Sequence, residues 1–261
     1  MTPQTASAAF AERMRARETV VGYWSMLGSG VAAERLSRVG YDYVCVDAQH
    51  GFGGYNDMLH ALTAIDGSPG CVGLVRVPEN SATQIGRALD AGAVGVIVPL
   101  VDDAASARRA ADACRYPPRG NRSYGPIRST LGAHGATVDR DRDMLCLAMI
   151  ETAPGLENVE EICQTQGIDG VYVGPSDLSL VLGARYPGDP LTSEVFEGAL
   201  LRVLAAAADA GVAAGIHCAS GEIAARRLQQ GFTFASVASD IVHLEAAAAQ
   251  HLKAARALDA P

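Results

Sequence analysis

Lysine is almost missing from these 261 residues: the single one, Lys253, stands eight positions from the end in an Ala-rich helical pattern. An enzyme that works through a lysine Schiff base needs that lysine in the pocket beside its substrate. Lys253 is badly placed for this, so any carbanion chemistry here needs another electron sink. Positive charge is short as well. The net charge is −8, which argues against nucleic acid or an anionic membrane surface as the main partner and leaves small anionic substrates open. No apolar run approaches the ~20 residues of a membrane helix. The stretch Met1 to Glu18 lacks the basic start and apolar core of a secretory signal. Cysteines 45, 71, 114, 146, 163 and 218 are scattered, with no Cys-x-x-Cys pair, so buried reduced thiols and a cytoplasmic location are expected. No Gly-x-Gly-x-x-Gly follows the first apolar run, and Gly28-Ser29-Gly30 is too short to serve as one. That disfavours a doubly wound dinucleotide-binding sheet.

What the chain does have is rhythm. At 49% hydrophobic and 19% charged it can bury a large core. Short apolar runs, rich in Val and Ile, fall at Val20–Leu27, Tyr43–Gln49, Val72–Pro78, Gly95–Val101, Met144–Glu151, Gly170–Pro175, Ala213–Ala219 and Phe232–Ser239. They are apolar on both faces, as parallel strands covered on both sides are. Between them, helical spacing marks Ala32–Val39, Tyr55–Ile65, Ser81–Ala91, Ala104–Arg115, Gly155–Gln166, Ser193–Ala210, Gly221–Gln230 and Ile241–Leu258. Gly40, Gly67, Gly92, Gly167, Gly211 and Gly231 stand at the C-terminal cap positions, and Asn80-Ser81 and Ser220 at N-caps. Eight strand–helix units in this length predict a (β/α)₈ TIM barrel over 20–261, preceded by an N-terminal segment or helix over 1–19. One stretch breaks the rhythm. Tyr116–Asp143 is long, polar and rich in Gly and Pro, as functional or interface loops are.

Barrel active sites form at the C-terminal strand ends. There the sequence places Asp47 and His50, Arg76, Glu151, and the turn Gly174-Pro175-Ser176-Asp177. Glu151 and Asp177 follow apolar strands, where an unpaired carboxylate is costly. Two carboxylates completed by water are the usual protein share of a Mg²⁺ or Mn²⁺ site; the competing assignment is a helix cap and an arginine partner. Arg76, inside an apolar strand, needs an acceptor, which a 2-oxo acid or a structural carboxylate would supply. The Gly174-Pro175-Ser176 turn offers backbone N–H groups to an anion, or is an ordinary strand-to-helix turn. His50, beside Asp47, suits proton transfer near neutrality, or a structural role. His217 ends another strand and is a weaker candidate for a pocket wall. His60, His134, His243 and His251 have no comparable setting.

Together these segments resemble one family. Gly22-Tyr23-Trp24-Ser25, Asp47-Ala48-Gln49-His50-Gly51, Val75-Arg76-Val77-Pro78, Leu89-Asp90-Ala91-Gly92-Ala93, Arg115 to Arg122, Ile150-Glu151-Thr152 and Gly170 to Ser179 are similar to the class II pyruvate aldolases of the HpcH/HpaI aldolase/citrate lyase family. Members include 4-hydroxy-2-oxoheptanedioate and 2-keto-3-deoxy-rhamnonate aldolases, and the resemblance runs over roughly Val20 to Leu258. It implies a divalent metal (Mg²⁺, Mn²⁺ or Co²⁺) on Glu151 and Asp177, His50 as catalytic base, and substrate contacts from Arg76, Gly174, Pro175 and Ser176. It implies a hydrogen-bond network through Asp47 and Asp90. Asp90 ends a helix at the barrel bottom, so it would serve a neighbouring subunit's site in a hexamer, a trimer of dimers with an exchanged last helix. The substrates implied are pyruvate and an aldehyde. Two departures stand out: Gln49 where the family commonly has Glu, and Met149 where it commonly has Gln. They leave the acceptor aldehyde open. Rival readings are a metal-enolate lyase on an acyl-CoA ester, an oxaloacetate decarboxylase, a relative of macrophomate synthase, or a non-catalytic barrel.

Overall fold

A computed structural model describes residues 6–126, 128 and 141–257. Eight parallel strands close into a barrel in chain order: β1 Val20–Ser25, β2 Tyr43–Asp47, β3 Val72–Arg76, β4 Gly95–Val98, β5 Leu145–Ile150, β6 Gly170–Val173, β7 Ala213–Cys218 and β8 Phe234–Ser239. All eight lie inside the apolar runs named above, and all but β8 end short of the run. Helix α1 spans Ala6–Arg15, and α2 to α5 span Gly30–Ser37, Tyr55–Asp66, Ala82–Asp90 and Ala104–Cys114. The segment expected as one helix over 155–166 divides at Asn158 into α6 Ala153–Glu157 and α7 Val159–Gln164. A short helix that the pattern did not show, α8 Pro175–Val181, follows β6 directly. Then come α9 Ser193–Ala210, α10 Gly221–Gln230 and α11 Asp240–Arg256.

Caps work largely as the sequence suggests. Gly40, Gly92, Gly167, Gly211 and Gly231 take positive φ, whereas Gly67 stays right-handed at φ −76° and the left-handed residue of that connection is Gly70. Ser220 accepts the N–H of Ile223, and Ser29 that of Ala32. Ser81 occupies its N-cap without a side-chain bond.

Strand alternation splits the apolar residues into two cores. One parity faces the helices: Val44, Val46, Val75, Val96, Val171 and Val237 pack against Leu62, Ile85, Leu89 and Val203. The other parity faces inward: Val20, Trp24, Tyr43, Cys45, Leu74, Ile97, Leu147, Met149, Tyr172 and Phe234 fill the barrel. Glycines make room for the inner rings. A Cβ on Gly22 would lie 2.1 Å from the Tyr43 ring, and one on Gly215 2.2 Å from Phe234. Helix α1 plugs the N-terminal end, its Phe10, Ala11 and Met14 joining the inner core and Phe10 meeting Tyr43 edge-on at 6.0 Å.

The last helix differs from the rest. Of its residues only Asp240 is buried, while Val242, Leu244 and Leu252 are half-exposed or more and Lys253 is exposed. Its first turn is anchored. Asp240 accepts hydrogen bonds from Ser25 Oγ and the N–H groups of Met26 and Leu27, and His243 Nδ1 pairs with Tyr23 OH at 2.8 Å. The Tyr116–Asp143 loop lies partly outside the described residues, as does His134.

Candidate active site

The inward parity also places the polar groups. Asp47 and Arg76 end adjacent strands in the same register, so they meet side by side at the barrel mouth. Arg76 Nε donates to Asp47 Oδ1 at 2.9 Å and Arg76 Nη2 donates to Oδ2, a two-pronged pair. Trp24, also inward, donates its Nε1–H to Asp47 Oδ2 at 3.1 Å, and its ring lies 5.1 Å from the guanidinium. Burial pushes the Asp47 carboxyl up, but hydrogen bonds and charge from Arg76 outweigh it and hold the group below its ordinary value. Burial works against the Arg76 charge too, and Asp47 more than restores it.

Asp47 shapes the next turn as well. Its Oδ1 accepts the N–H groups of Gln49 and His50, at 3.0 and 3.1 Å, folding the chain back over the strand end. A Cβ on Gly51 would lie 2.1 Å from the Asp47 carbonyl oxygen, so the turn closes only with glycine there. The result presents His50 to solvent at the rim of the mouth.

Across the barrel, Glu151 follows β5 and is 2% exposed. One carboxylate oxygen accepts the N–H of Leu100 at 3.0 Å, and Leu100 holds an unfavourable left-handed φ of 54°. The other carboxylate oxygen lies against Gly174, where a Cβ would come within 2.6 Å of it. Burial raises the Glu151 carboxyl above its ordinary value; the Leu100 N–H opposes this, and the charge of Asp177 reinforces it. Asp177 sits exposed in the first turn of α8. A buried carboxylate with a second one close enough to repel it fits a divalent cation, whose charge would relieve both. Among the described residues no group of three or more His, Cys, Asp or Glu side chains is placed to hold a metal. The pair would therefore need substrate or water oxygens to complete a coordination shell.

Gly174 caps α8 and Pro175 opens it. Proline has no N–H, so the first-turn donors facing the mouth are those of Ser176 and Asp177. Asp47, His50, Arg76, Gly174, Pro175, Ser176 and Asp177 line one cavity of about 210 Å³. Met149 lines it as well, 3% exposed, with its methyl against Gly174. Gln49 keeps its Oε1 buried without a hydrogen-bond partner. The remaining candidate, Asp90, lies elsewhere. It ends α4 at the opposite rim, where Arg122 Nη2 donates to it at 2.6 Å.

Two residues belong to this site more firmly than the sequence suggested. Trp24 is the partner of Asp47, and strand parity two residues after Gly22 is the signal that places it. His217 lines the cavity, its ring edge-on to Trp24 at 5.1 Å and its Nδ1 buried without a partner. Burial, and then the charge of Arg76, lower the His217 pKa to about 4, so the ring is neutral near neutral pH.

Known proteins can be set beside this geometry. A hydroxypyruvate/pyruvate aldolase of Rhizorhabdus wittichii is 41% identical over 239 residues, 90% of this chain and 93% of that protein. A 4-hydroxy-2-oxovalerate aldolase of Rhodococcus jostii is 34% identical, covering 88% of this chain and 89% of its own length. Among solved structures, an HpcH/HpaI aldolase/citrate lyase family protein of Burkholderia cenocepacia superposes with a TM-score of 0.87 at 32% identity, over 95% of this chain and 99% of the other. The family model of HpcH/HpaI aldolase/citrate lyase matches residues 21–247, from β1 into α11: this chain belongs to the HpcH/HpaI aldolase/citrate lyase family.

Proposed function

We infer that this chain is a divalent-metal-dependent pyruvate aldolase, a carbon–carbon lyase that joins pyruvate to an aldehyde or cleaves the resulting 4-hydroxy-2-oxo acid. The observation that carries this reading is buried Glu151, which feels the charge of Asp177 and lies against Gly174 beside the cavity that Asp177 lines with His50 and the Asp47-held Arg76. The names of the relatives support it. Glu151 and Asp177 would hold the cation, Mg²⁺, Mn²⁺ or Co²⁺, which when bound supplies a Lewis acid. No lysine stands at the mouth to form a Schiff base.

The chain's own groups do the rest. The N–H groups of Ser176 and Asp177 bind the pyruvate carboxylate, with Gly174 and Pro175 against it. Arg76 stabilises negative charge as it grows on the keto oxygen. Asp47 locks the guanidinium, so little reorganisation accompanies that charge. His50 takes a methyl proton. The methylene carbon then bonds to the aldehyde carbon, and the aldehyde oxygen is protonated to a hydroxyl. In reverse, the hydroxyl loses its proton and the same bond breaks.

The assembly proposed is a hexamer, a trimer of dimers in which α11 crosses to a neighbour. Its solvent-facing Val242, Leu244 and Leu252 support that exchange. Asp90 would then reach a neighbour's site from the opposite rim. Six buried free thiols support a cytoplasmic setting, and among the described residues no helix is long and apolar enough to cross a membrane. The barrel domain is taken to run over 20–261, with 1–19 as a preceding segment.

Pyruvate in D₂O tests the reading. Loss of the methyl-proton signal is expected with a divalent cation present, and not without it or in His50→Ala. Absence of exchange with any of Mg²⁺, Mn²⁺ and Co²⁺ would refute it, and exchange confined to thioesters would point to an acyl-CoA lyase.

A further inference from the structure

A second, larger cavity of about 450 Å³ adjoins the reaction pocket and shares Pro175, Ser176 and His217 with it. It lies between α8, α9 and α10, outside the strand ends β6 and β7. Its apolar lining includes Phe196, Ile216 and Ile223. Its charged lining consists of Arg226, Arg227, Glu197 and Asp189.

These charges do not cancel locally. Asp189 is 3% exposed and already spoken for: it accepts from the N–H of Leu191 and from both the backbone N–H and the Nε of Arg185. Glu197 accepts from Arg227 Nη1 at 2.7 Å, which holds its carboxyl below the ordinary value. Arg227 is 7% exposed, and its Nε is buried without any hydrogen-bond partner. An unpaired buried N–H of a cation is costly and calls for an acceptor. Arg226 is exposed and, among the described residues, forms no hydrogen bond or ion pair of its own, though it adds to the field that lowers Glu197. One full positive charge and one orphaned guanidinium donor therefore remain over, on the lining of a chamber that shares a wall with the pyruvate pocket but not on that pocket itself.

We propose that this chamber holds the tail of the acceptor aldehyde, and that Arg226 and Arg227 select acceptors ending in an anion: a carboxylate, sulfonate or phosphate. This rests on the aldolase reading above. The aldehyde carbon would lie at the shared wall of Pro175, Ser176 and His217. The tail would run past Ile216 and Ile223 to the guanidinium pair, where planar N–H donors suit an oxyanion.

The test compares two matched acceptor pairs with pyruvate: succinic semialdehyde against butanal, and glyceraldehyde 3-phosphate against glyceraldehyde. Wild type is expected to show kcat/KM at least about tenfold higher for the anionic member of one pair or both, and the favoured pair identifies carboxylate or phosphate. In Arg226→Ala that ratio falls toward one, and Arg226→Lys restores part of it. Arg226 is exposed, so its loss leaves the core intact. A wild-type ratio at or below one in both pairs overturns the proposal, and so does an Arg226→Ala enzyme that keeps the wild-type ratio. Pyruvate methyl exchange in D₂O without acceptor is measured in the same wild-type preparation. If exchange occurs and the ratio is flat, only the anion preference has failed; without exchange, the aldolase reading itself has failed.

Discussion

The two ends of this barrel are closed in opposite ways. At the bottom, Phe10 and Met14 of α1 join Tyr43 and Val20 in an apolar plug, tied at its edge by ion pairs of Arg13 with Asp42 and Arg15 with Asp169. At the top, the same inward-facing strand positions carry Asp47, Arg76, Glu151 and His217, all wholly or largely buried. Apolar burial is non-directional and tolerates variation, whereas a buried charge survives only with a partner held in place. One end is therefore built for stability. The other spends stability on groups that only a ligand completes, such as the unpartnered Nδ1 of His217.

Substitutions at the two ends should separate these roles. The largest effect is expected at Glu151. Glu151→Gln should lower kcat/KM by on the order of 10³-fold, the scale on which a lost transition-state charge contact registers. Calorimetry should show divalent-cation binding lost with it, and unaltered affinity would remove Glu151 from the metal site. Asp47→Ala strands the Arg76 guanidinium and should destabilise the fold by about 3–5 kcal/mol. In a protein of this size that lowers Tm by about 10 °C in a calorimetric scan.

At the bottom, Phe10→Ala should cost about 3 kcal/mol, yet leave kcat/KM within about twofold. A large kinetic defect would show that the two ends are coupled.

The pH dependence of stability isolates His217. Its folded pKa of about 4 lies below the ordinary 6.5, so the folded state binds its proton less well. The stability this contributes is complete above about pH 6.5 and is lost as pH falls toward and through 4, a difference on the order of 3 kcal/mol. His217→Gln should flatten the fall of Tm between those pH values; an unchanged slope would show that the loss comes from other groups.

The smallest effect is expected at Met149. Met149→Gln adds one hydrogen-bonding group to the pocket wall and should shift the preference between hydroxylated and plain aldehydes by about tenfold, read as a kcat/KM ratio.

The barrel was legible in the sequence because parallel strands covered on both faces leave continuous apolar runs. The same property hid the strand ends. Ala48, Val77 and Val101 continue the apolar pattern into the loops, so β2, β3 and β4 stop earlier than hydropathy implies. The helical period likewise runs through Asn158, where two short helices meet. At the mouth, Asp47, Arg76, Glu151 and Asp177 could be found because a charge directly after an apolar strand is costly. Trp24 was harder, since an indole in an apolar run looks like core until its Nε1–H is seen on Asp47. Arg226 and Arg227 gave no signal, because two arginines on an amphipathic helix read as a solvated face. Only the packing of α8, α9 and α10 makes them the wall of a chamber. The raised carboxyl of Glu151 was also out of reach, since it depends on burial and on Asp177 from another strand end.

Lys253 is the chain's one side-chain amine, and it rides on α11, the helix whose apolar residues face outward. Amine-reactive reagents thus have one side-chain target here, outside the lining of the reaction pocket. Its modification rate would report directly on whether α11 is covered, and a dye placed there would serve as a ruler for subunit exchange without touching the catalytic mouth.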